Sequence, residues 1–316
     1  MNNIKNARAK KRLKGAEYRD RFYGGFASDV ANWALERPDQ AFLNLITNGH
    51  LSGQALWCNR HIRDVAQHAL INAVLKEYKA CPDLPRYWVT LAWDLGITME
   101  REPKLDLVAI RNTAQHHLRR AGLDGFGIVE FDAWKNLTGE PGRRMVAHVH
   151  FLGWPADPGA FKWQTIEKGL QQKRGLRNSL GARSVVIEPV RGQSTDIAHL
   201  AMYMTKAPSA AKNVVPGAIK AKLRPAELSK GSAARLVEIL SHVEATDVMF
   251  SIGEGSRIAS AVRREINAAI KPGHGKTAAP SHRLVKSHWH RIRLINGSKL
   301  FLEPEIITRA HQRQKS

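Results

Sequence analysis

From Asn59 to Lys79 the apolar residues fall at Ile62, Val65, Ala66, Ala69, Leu70, Ala73 and Val74. Spacings of three and four give one apolar stripe on a helix, so the segment predicts an amphipathic helix. CPDLP at 81–85 ends it. The texture then changes. RYWVTLAWD (86–94), GFGIVEFDAW (125–134), MVAHVHFLGW (145–154) and RSVVIEPVR (183–191) are rich in β-branched and aromatic residues and predict four strands. Helices are predicted between them at 105–121 and 161–180, and a further one over DIAHLAMYMTKA (196–207), capped by Thr195 or Asp196. A polar loop, KNLTGEPGRR, joins the second and third strands. Strand, helix, two strands, helix, strand, helix predicts an α+β sandwich around a mostly antiparallel sheet.

Beyond Pro208 the strand signal falls. APSAAKNVVPG (207–217) reads as a connector, and helices are expected at 226–245 and 256–270. KPGHGKTAAPS (271–281) reads as a Pro/Gly linker. RIRLINGSKLFLEP (291–304) has Asn-Gly between two alternating runs, a hairpin signal. The expected organisation is a basic arm at 1–25, a helical region at 26–82, an α+β domain at 83–210 and a mixed, basic region at 211–316 suited to DNA binding.

Charge narrows the choice of partner. Lys and Arg number 49 against 28 Asp and Glu, a net charge of +21 with a pI near 10.3. Such an excess calls for an anionic partner, and nucleic acid leads. The chain shows no long apolar span or lipidation signal, and MNNIKNARAKKRLKG has no apolar run after its charges, so neither a membrane partner nor secretion is expected. Cys58 and Cys81 are the only cysteines and are not clustered, which fits reduced thiols in a cytoplasmic protein.

The candidate chemistry centres on RRMVAHVHFLGW (143–154). With 14 histidines in 316 residues, about 0.6 His-x-His triplets arise by chance, so the motif needs support from elsewhere. On a strand, His148 and His150 share a face, about 6–7 Å apart at Cα, while Val149 points away. A third ligand is expected from the neighbouring strand: Glu130, with Asp132 on the same face as the fallback. A carboxylate between Val129 and Phe131 is costly unless paired or metal-bound. Such a His/His/carboxylate set suits Mn²⁺ or Mg²⁺, tolerates Zn²⁺, and leaves positions open for a substrate. In HLAMYMTKAP (199–208), His199, Tyr203 and Lys206 fall at i, i+4 and i+7, on one helical face. Tyrosine is a weak nucleophile at its free pKa near 10, and a metal and a cation together compensate.

Together these residues resemble the HUH endonuclease superfamily, and within it the rolling-circle replication initiators of plasmids and phages. The resemblance runs over about residues 86–208, in the family's order: an apolar first strand WVTLA, a strand glutamate in GIVEF, the His-hydrophobe-His strand HVHFL, and Tyr-x-x-Lys in YMTK. It implies a central antiparallel sheet flanked by helices, His148, His150 and Glu130 as metal ligands, Tyr203 as nucleophile and Lys206 as its auxiliary. It also implies nicking and rejoining of origin DNA, single-stranded or hairpin at the nick site and duplex beside it, with a host helicase and DNA polymerase as partners. Three features depart from the pattern: the helix has one tyrosine, the loop between Glu130 and His148 is long, and His199 has no assigned role. A transposase or relaxase of a mobile element would share the chemistry, although relaxases place their tyrosine ahead of the histidines. A non-catalytic nucleic-acid-binding protein with core histidines is the reading from another class. His288-Trp289-His290 lacks a preceding strand carboxylate and a following tyrosine. GHGKT (273–277) lacks the glycine that a phosphate-binding loop needs at Ile270, so no ATP site is expected.

Overall fold

The computed structural model describes residues 55–100, 105–135, 143–179, 182–190, 194–208, 210–215, 222–241, 243–270, 292–295 and 299–302. The basic arm, the 271–281 linker and His288-Trp289-His290 lie outside them. Asn59 starts α1 (Arg60–Ala80) by accepting the Ile62 N–H on its side-chain oxygen at 3.1 Å, an N-cap. The predicted stripe is the inner face of the helix: Ile62, Ala66, Ala69, Leu70 and Val74 are buried, and Asn72, Lys76 and Lys79 face solvent.

The chain continues through β1 (Tyr87–Leu91), β2 (Ile97–Met99), β3 (Leu105–Asp106), α2 (Leu107–Arg120), β4 (Leu123–Lys135), β5 (Arg144–Pro155), α3 (Trp163–Gln171), β6 (Val185–Pro189) and α4 (Ser194–Met204). After these come β7 (Ala210–Val215), β8 (Lys222–Glu227), α5 (Lys230–Leu240), α6 (Ala245–Val248), β9 (Met249–Ile252), α7 (Ser256–Ala269), β10 (Ile292–Ile295) and β11 (Lys299–Leu302). Eight strands make one sheet in the order β6-β1-β5-β4-β7-β8, with β2 added to β5 and β9 to β4. Every pairing is antiparallel except β4 with β7. The protein is thus a mixed α+β fold with a central, largely antiparallel sheet flanked by helices.

Consecutive strand residues face opposite ways. Tyr87 packs on Phe161, just ahead of α3, at 4.8 Å between ring centroids, while Trp88 meets Tyr203 of α4 at 6.1 Å. Helices α3 and α4 therefore cover opposite faces, and β5 between them is buried along its whole length. One hydrophobic core takes residues from Ala55 to Ile266, with α1 packed on α4 and α7. Among the described residues no helix is long and apolar enough to cross a membrane.

The structure departs from the expected elements where the local pattern is weak. The helix expected at 161–180 ends at Gln171, because after Leu170 the apolar positions run out until Leu176, which sits in a 3₁₀ turn (Arg174–Leu176). The expected connector at 207–217 contains β7, and the expected helix at 226–245 resolves into the end of β8, α5 and α6. AAKNVV and KLRPAE lack strict alternation, and a proline fits a strand at the sheet's margin. The two runs expected as a hairpin do pair, Ile292 with Leu302 through Ile295 with Lys299, and β11 joins β3.

β1 and β2 both pair with β5, and the chain between them passes close over it. A Cβ at Gly96 would meet the Ala147 carbonyl oxygen far inside van der Waals contact. Gly96→Ala is therefore expected to cost about 1–3 kcal/mol, read from urea unfolding. An unchanged midpoint would show that the crossing tolerates a methyl group.

Candidate metal centre

The two longest strands meet at the middle of the sheet, and their register places Glu130 of β4 directly opposite His148 of β5. His150, two residues on, shares that face and lies opposite Thr90 of β1. Glu130, His148 and His150 are only 5%, 6% and 5% exposed. Their facing atoms converge: His148 Nε2 is 3.1 Å from His150 Nε2, Glu130 Oε2 is 3.3 Å from His150 Nε2 and 3.6 Å from His148 Nε2. Atoms with these separations lie on a circle of about 1.9 Å radius, so a point just off their plane is about 2.0–2.1 Å from each. That is the bond length of Zn²⁺ or Mg²⁺ to such donors. The cluster could bind a divalent metal ion.

Two further observations fit a cation. Glu130 Oε1 is buried without a hydrogen-bond partner among the described residues, an arrangement that calls for an explanation. His150 Nδ1 lies 3.1 Å from Thr90 Oγ1. In the tautomer that donates Nδ1–H to Thr90, His150 turns the lone pair of Nε2 to the centre, the usual second contact of a metal-binding histidine. Trp88 stacks on the same imidazole at 4.7 Å and 24°. Burial lowers the His150 pKa to about 4, further than Glu130 raises it, so the ring is neutral at pH 7.

Charge is balanced from α4. Lys206 Nζ donates to Glu130 Oε2 at 2.8 Å and sits 4.1 Å above the Tyr203 ring centroid. Burial pushes the Glu130 carboxyl up, but Lys206 and the hydrogen bonds of His148 and His150 outweigh it and hold it well below the usual carboxylate range. Burial likewise works against the Lys206 ammonium, and the neighbouring Glu130 and Asp132 carboxylates more than offset it, so its pKa is raised. Asp132 Oδ2 lies 3.8 Å from His148 Nε2, beside the cluster and outside the three converging atoms.

The structure brings all five expected site residues together, by a route that differs in one detail. The helix expected to run through Ala207 ends at Met204, and Thr205 and Lys206 close on Met202 and Tyr203 carbonyls at 3.3 and 3.4 Å. Lys206 thus reaches Glu130 from the turn after α4. Tyr203 packs edge-on against His150 at 5.3 Å between centroids, and His199 lies 6.5 Å from the Tyr203 ring, one turn back. Sequence reasoning missed Thr90, Arg63 and Gln67. Thr90 had a signal, a polar residue two positions from Trp88 in an apolar strand. Arg63 Nη1 donates to the Lys206 carbonyl at 3.1 Å and Gln67 Nε2 to the Met202 carbonyl at 3.3 Å; nothing in α1 announces a target some 140 residues away.

Comparison with protein-family models, with curated proteins and with solved structures finds no match.

Two expectations follow for metal binding. Mn²⁺ or Zn²⁺ at about one hundred times Kd should stabilise the protein by about 2.7 kcal/mol, and His148→Ala with His150→Ala should remove that gain. Thr90→Val should weaken affinity about tenfold or more. Calorimetric titration reads both, and full affinity in the double alanine variant would exclude the site. In EDTA, Lys206→Met leaves the buried carboxylate unpaired and should cost about 3 kcal/mol. Saturating metal should restore part of that loss in thermal melts, because it neutralises the same oxygen; equal losses with and without metal would contradict a shared carboxylate.

Proposed function

We propose that this protein is a metal-dependent DNA nickase and strand transferase of the HUH endonuclease type, one that initiates rolling-circle replication of a plasmid or phage element with Tyr203 as nucleophile. One observation supports this above the others. A tyrosine from α4 lies 5.3 Å from the His150 ring and 4.1 Å from the Lys206 ammonium, beside a buried carboxylate–imidazole cluster on the sheet. A tyrosine serving only the core would need neither the cation nor the cluster.

Glu130, His148 and His150 would hold the ion, and a mixed set of two nitrogens and one oxygen suits Mn²⁺ or Mg²⁺. When bound, the ion supplies Lewis-acid polarisation of a phosphate oxygen. Tyr203 Oη attacks the phosphorus, its proton passes to solvent, the bond to the 3′-oxygen breaks, and that oxygen takes a proton to leave as a free 3′-OH. The downstream strand keeps its phosphate on the tyrosine. Lys206 offsets negative charge on the phenolate oxygen and holds Glu130 ionised. One phosphodiester is exchanged for another, so rejoining by the reverse attack needs no ATP. Origin DNA is the substrate, a host polymerase extends the 3′-OH, and unwinding falls to a host helicase.

A single-stranded oligonucleotide spanning the nick site, incubated with protein and Mn²⁺, should yield an adduct on Tyr203 by mass spectrometry, with the upstream fragment bearing a 3′-OH. Tyr203→Phe keeps the ring packing and should lose the adduct with little loss of stability in thermal melts. Lys206→Ala, assayed well below its own melting temperature, should slow adduct formation without abolishing it. An adduct on Tyr78 or Tyr87, or cleavage without any adduct, would place the chemistry elsewhere.

A further inference from the structure

Positive charge gathers on the side of the sheet away from Tyr203. Helix α2 carries no carboxylate along its length and ends in His116, His117, Arg119 and Arg120. Between residues 162 and 183 the chain exposes Lys162, Lys168, Lys173, Arg174 and Arg177 against a single carboxylate, Glu167. Glu167 is turned inward: it accepts the Ile187 N–H at 2.7 Å and the Gln171 amide at 3.2 Å, and its side chain is 13% exposed. Nearby Asp94 is engaged by the Ser179 N–H and hydroxyl at 2.6 and 2.8 Å. The two basic segments touch, since a Cβ at Gly175 would lie 3.2 Å from His117 Nε2. Burial lowers the His117 pKa, and His116, Lys173 and Arg120 lower it further, as expected inside a positive field.

The other groove with several cations is not comparable. Between α1 and α7, Arg257 pairs with Glu254 at 2.7 Å and Arg264 with Glu265 at 3.4 Å, so the charges there are largely cancelled. Favourable interaction with the helix dipole accounts for Arg119 and Arg120 at the end of α2. It does not account for Lys173, Arg174 and Arg177, which belong to a turn that buried Leu176 anchors.

We propose that the end of α2 and the 162–179 segment form a phosphate-binding surface for duplex DNA flanking the nick site. Because α3 and Tyr203 lie on opposite faces of the sheet, the duplex held here is not the stretch being cut; the surface anchors the protein beside the origin while the strand to be cleaved is presented to the other face. The choice of DNA as the polyanion rests on the nickase proposed above, whereas the surface itself rests on charge and burial.

The test is a triple variant, Lys173→Glu with Arg174→Glu and Arg177→Glu, against a control, Arg263→Glu with Arg264→Glu on α7. Affinity for a 30-base-pair duplex is measured by fluorescence anisotropy between 50 and 200 mM salt. Losing about three phosphate contacts should flatten the logarithmic salt slope by about 2.7 and weaken low-salt binding tenfold or more, with melting temperature, Mn²⁺ affinity and cleavage of a short single-stranded oligonucleotide unchanged. Equal losses in the control, a lower melting temperature without weaker binding, or preference for anionic phosphatidylserine vesicles over duplex would overturn the surface. If the slope flattens while no oligonucleotide is ever cleaved, the surface stands and the nickase falls; if cleavage occurs and the slope is unchanged, the nickase stands and the surface falls.

Discussion

A carboxylate buried at the centre of a sheet has to be neutralised, and much of this structure follows from how Glu130 is. Removing such a group from water costs several kcal/mol unless opposite charge and hydrogen bonds replace the lost solvation. Lys206 provides the charge at 2.8 Å, and the two imidazoles face the same oxygen at 3.3 and 3.6 Å. A divalent cation would meet the same need. Metal and ammonium are thus two answers to one electrostatic demand, and the site that balances them is the site where the tyrosine is placed.

That demand reaches outward through backbone contacts. Lys206 can meet Glu130 only if the turn after α4 is held in place, and α1 holds it, Arg63 on the Lys206 carbonyl and Gln67 on the Met202 carbonyl. Arg63 is itself seated on Trp57, over the ring at 4.3 Å and on its carbonyl at 2.6 Å. On the sheet side, Thr90 Oγ1 holds His150 Nδ1 at 3.1 Å, and the close crossing at Gly96 keeps β1 and β2 on one partner strand. Neither helix nor sheet is sufficient alone: the sheet orders three converging donor atoms, and α4 and the turn after it deliver the tyrosine and the countercharge.

Buried polarity and surface charge fall on different faces of the sheet. The face with Trp88, His150 and Tyr203 holds the buried carboxylate–imidazole cluster. On the α3 side, Lys162, Lys168, Lys173, Arg174 and Arg177 are exposed. Eight strands with helices on both sides keep the two apart.

Much of the centre was legible in the chain itself, because it depends on local periodicity. Alternation on β5 puts His148 and His150 on one face whatever surrounds them, and the same rule pairs Glu130 with Asp132 on β4. Helical spacing relates His199 to Tyr203 in the same way. Alternation alone did not separate Glu130 from its fallback Asp132, since strand register is a relation between two segments; the pairing of Glu130 with His148 places Glu130 at the centre. Lys206 on Glu130, Thr90 on His150, and Arg63 on a carbonyl 143 residues away are likewise long-range contacts. Strands β7, β8 and β9 carry little signal of their own because their place in the sheet comes from neighbours more than from alternation. The sequence by itself determined which residue types share a face, through the fixed periods of strand and helix. Which faces meet, and therefore which charge neutralises which, was decided only by the tertiary structure, because burial and countercharge are properties of the packed chain.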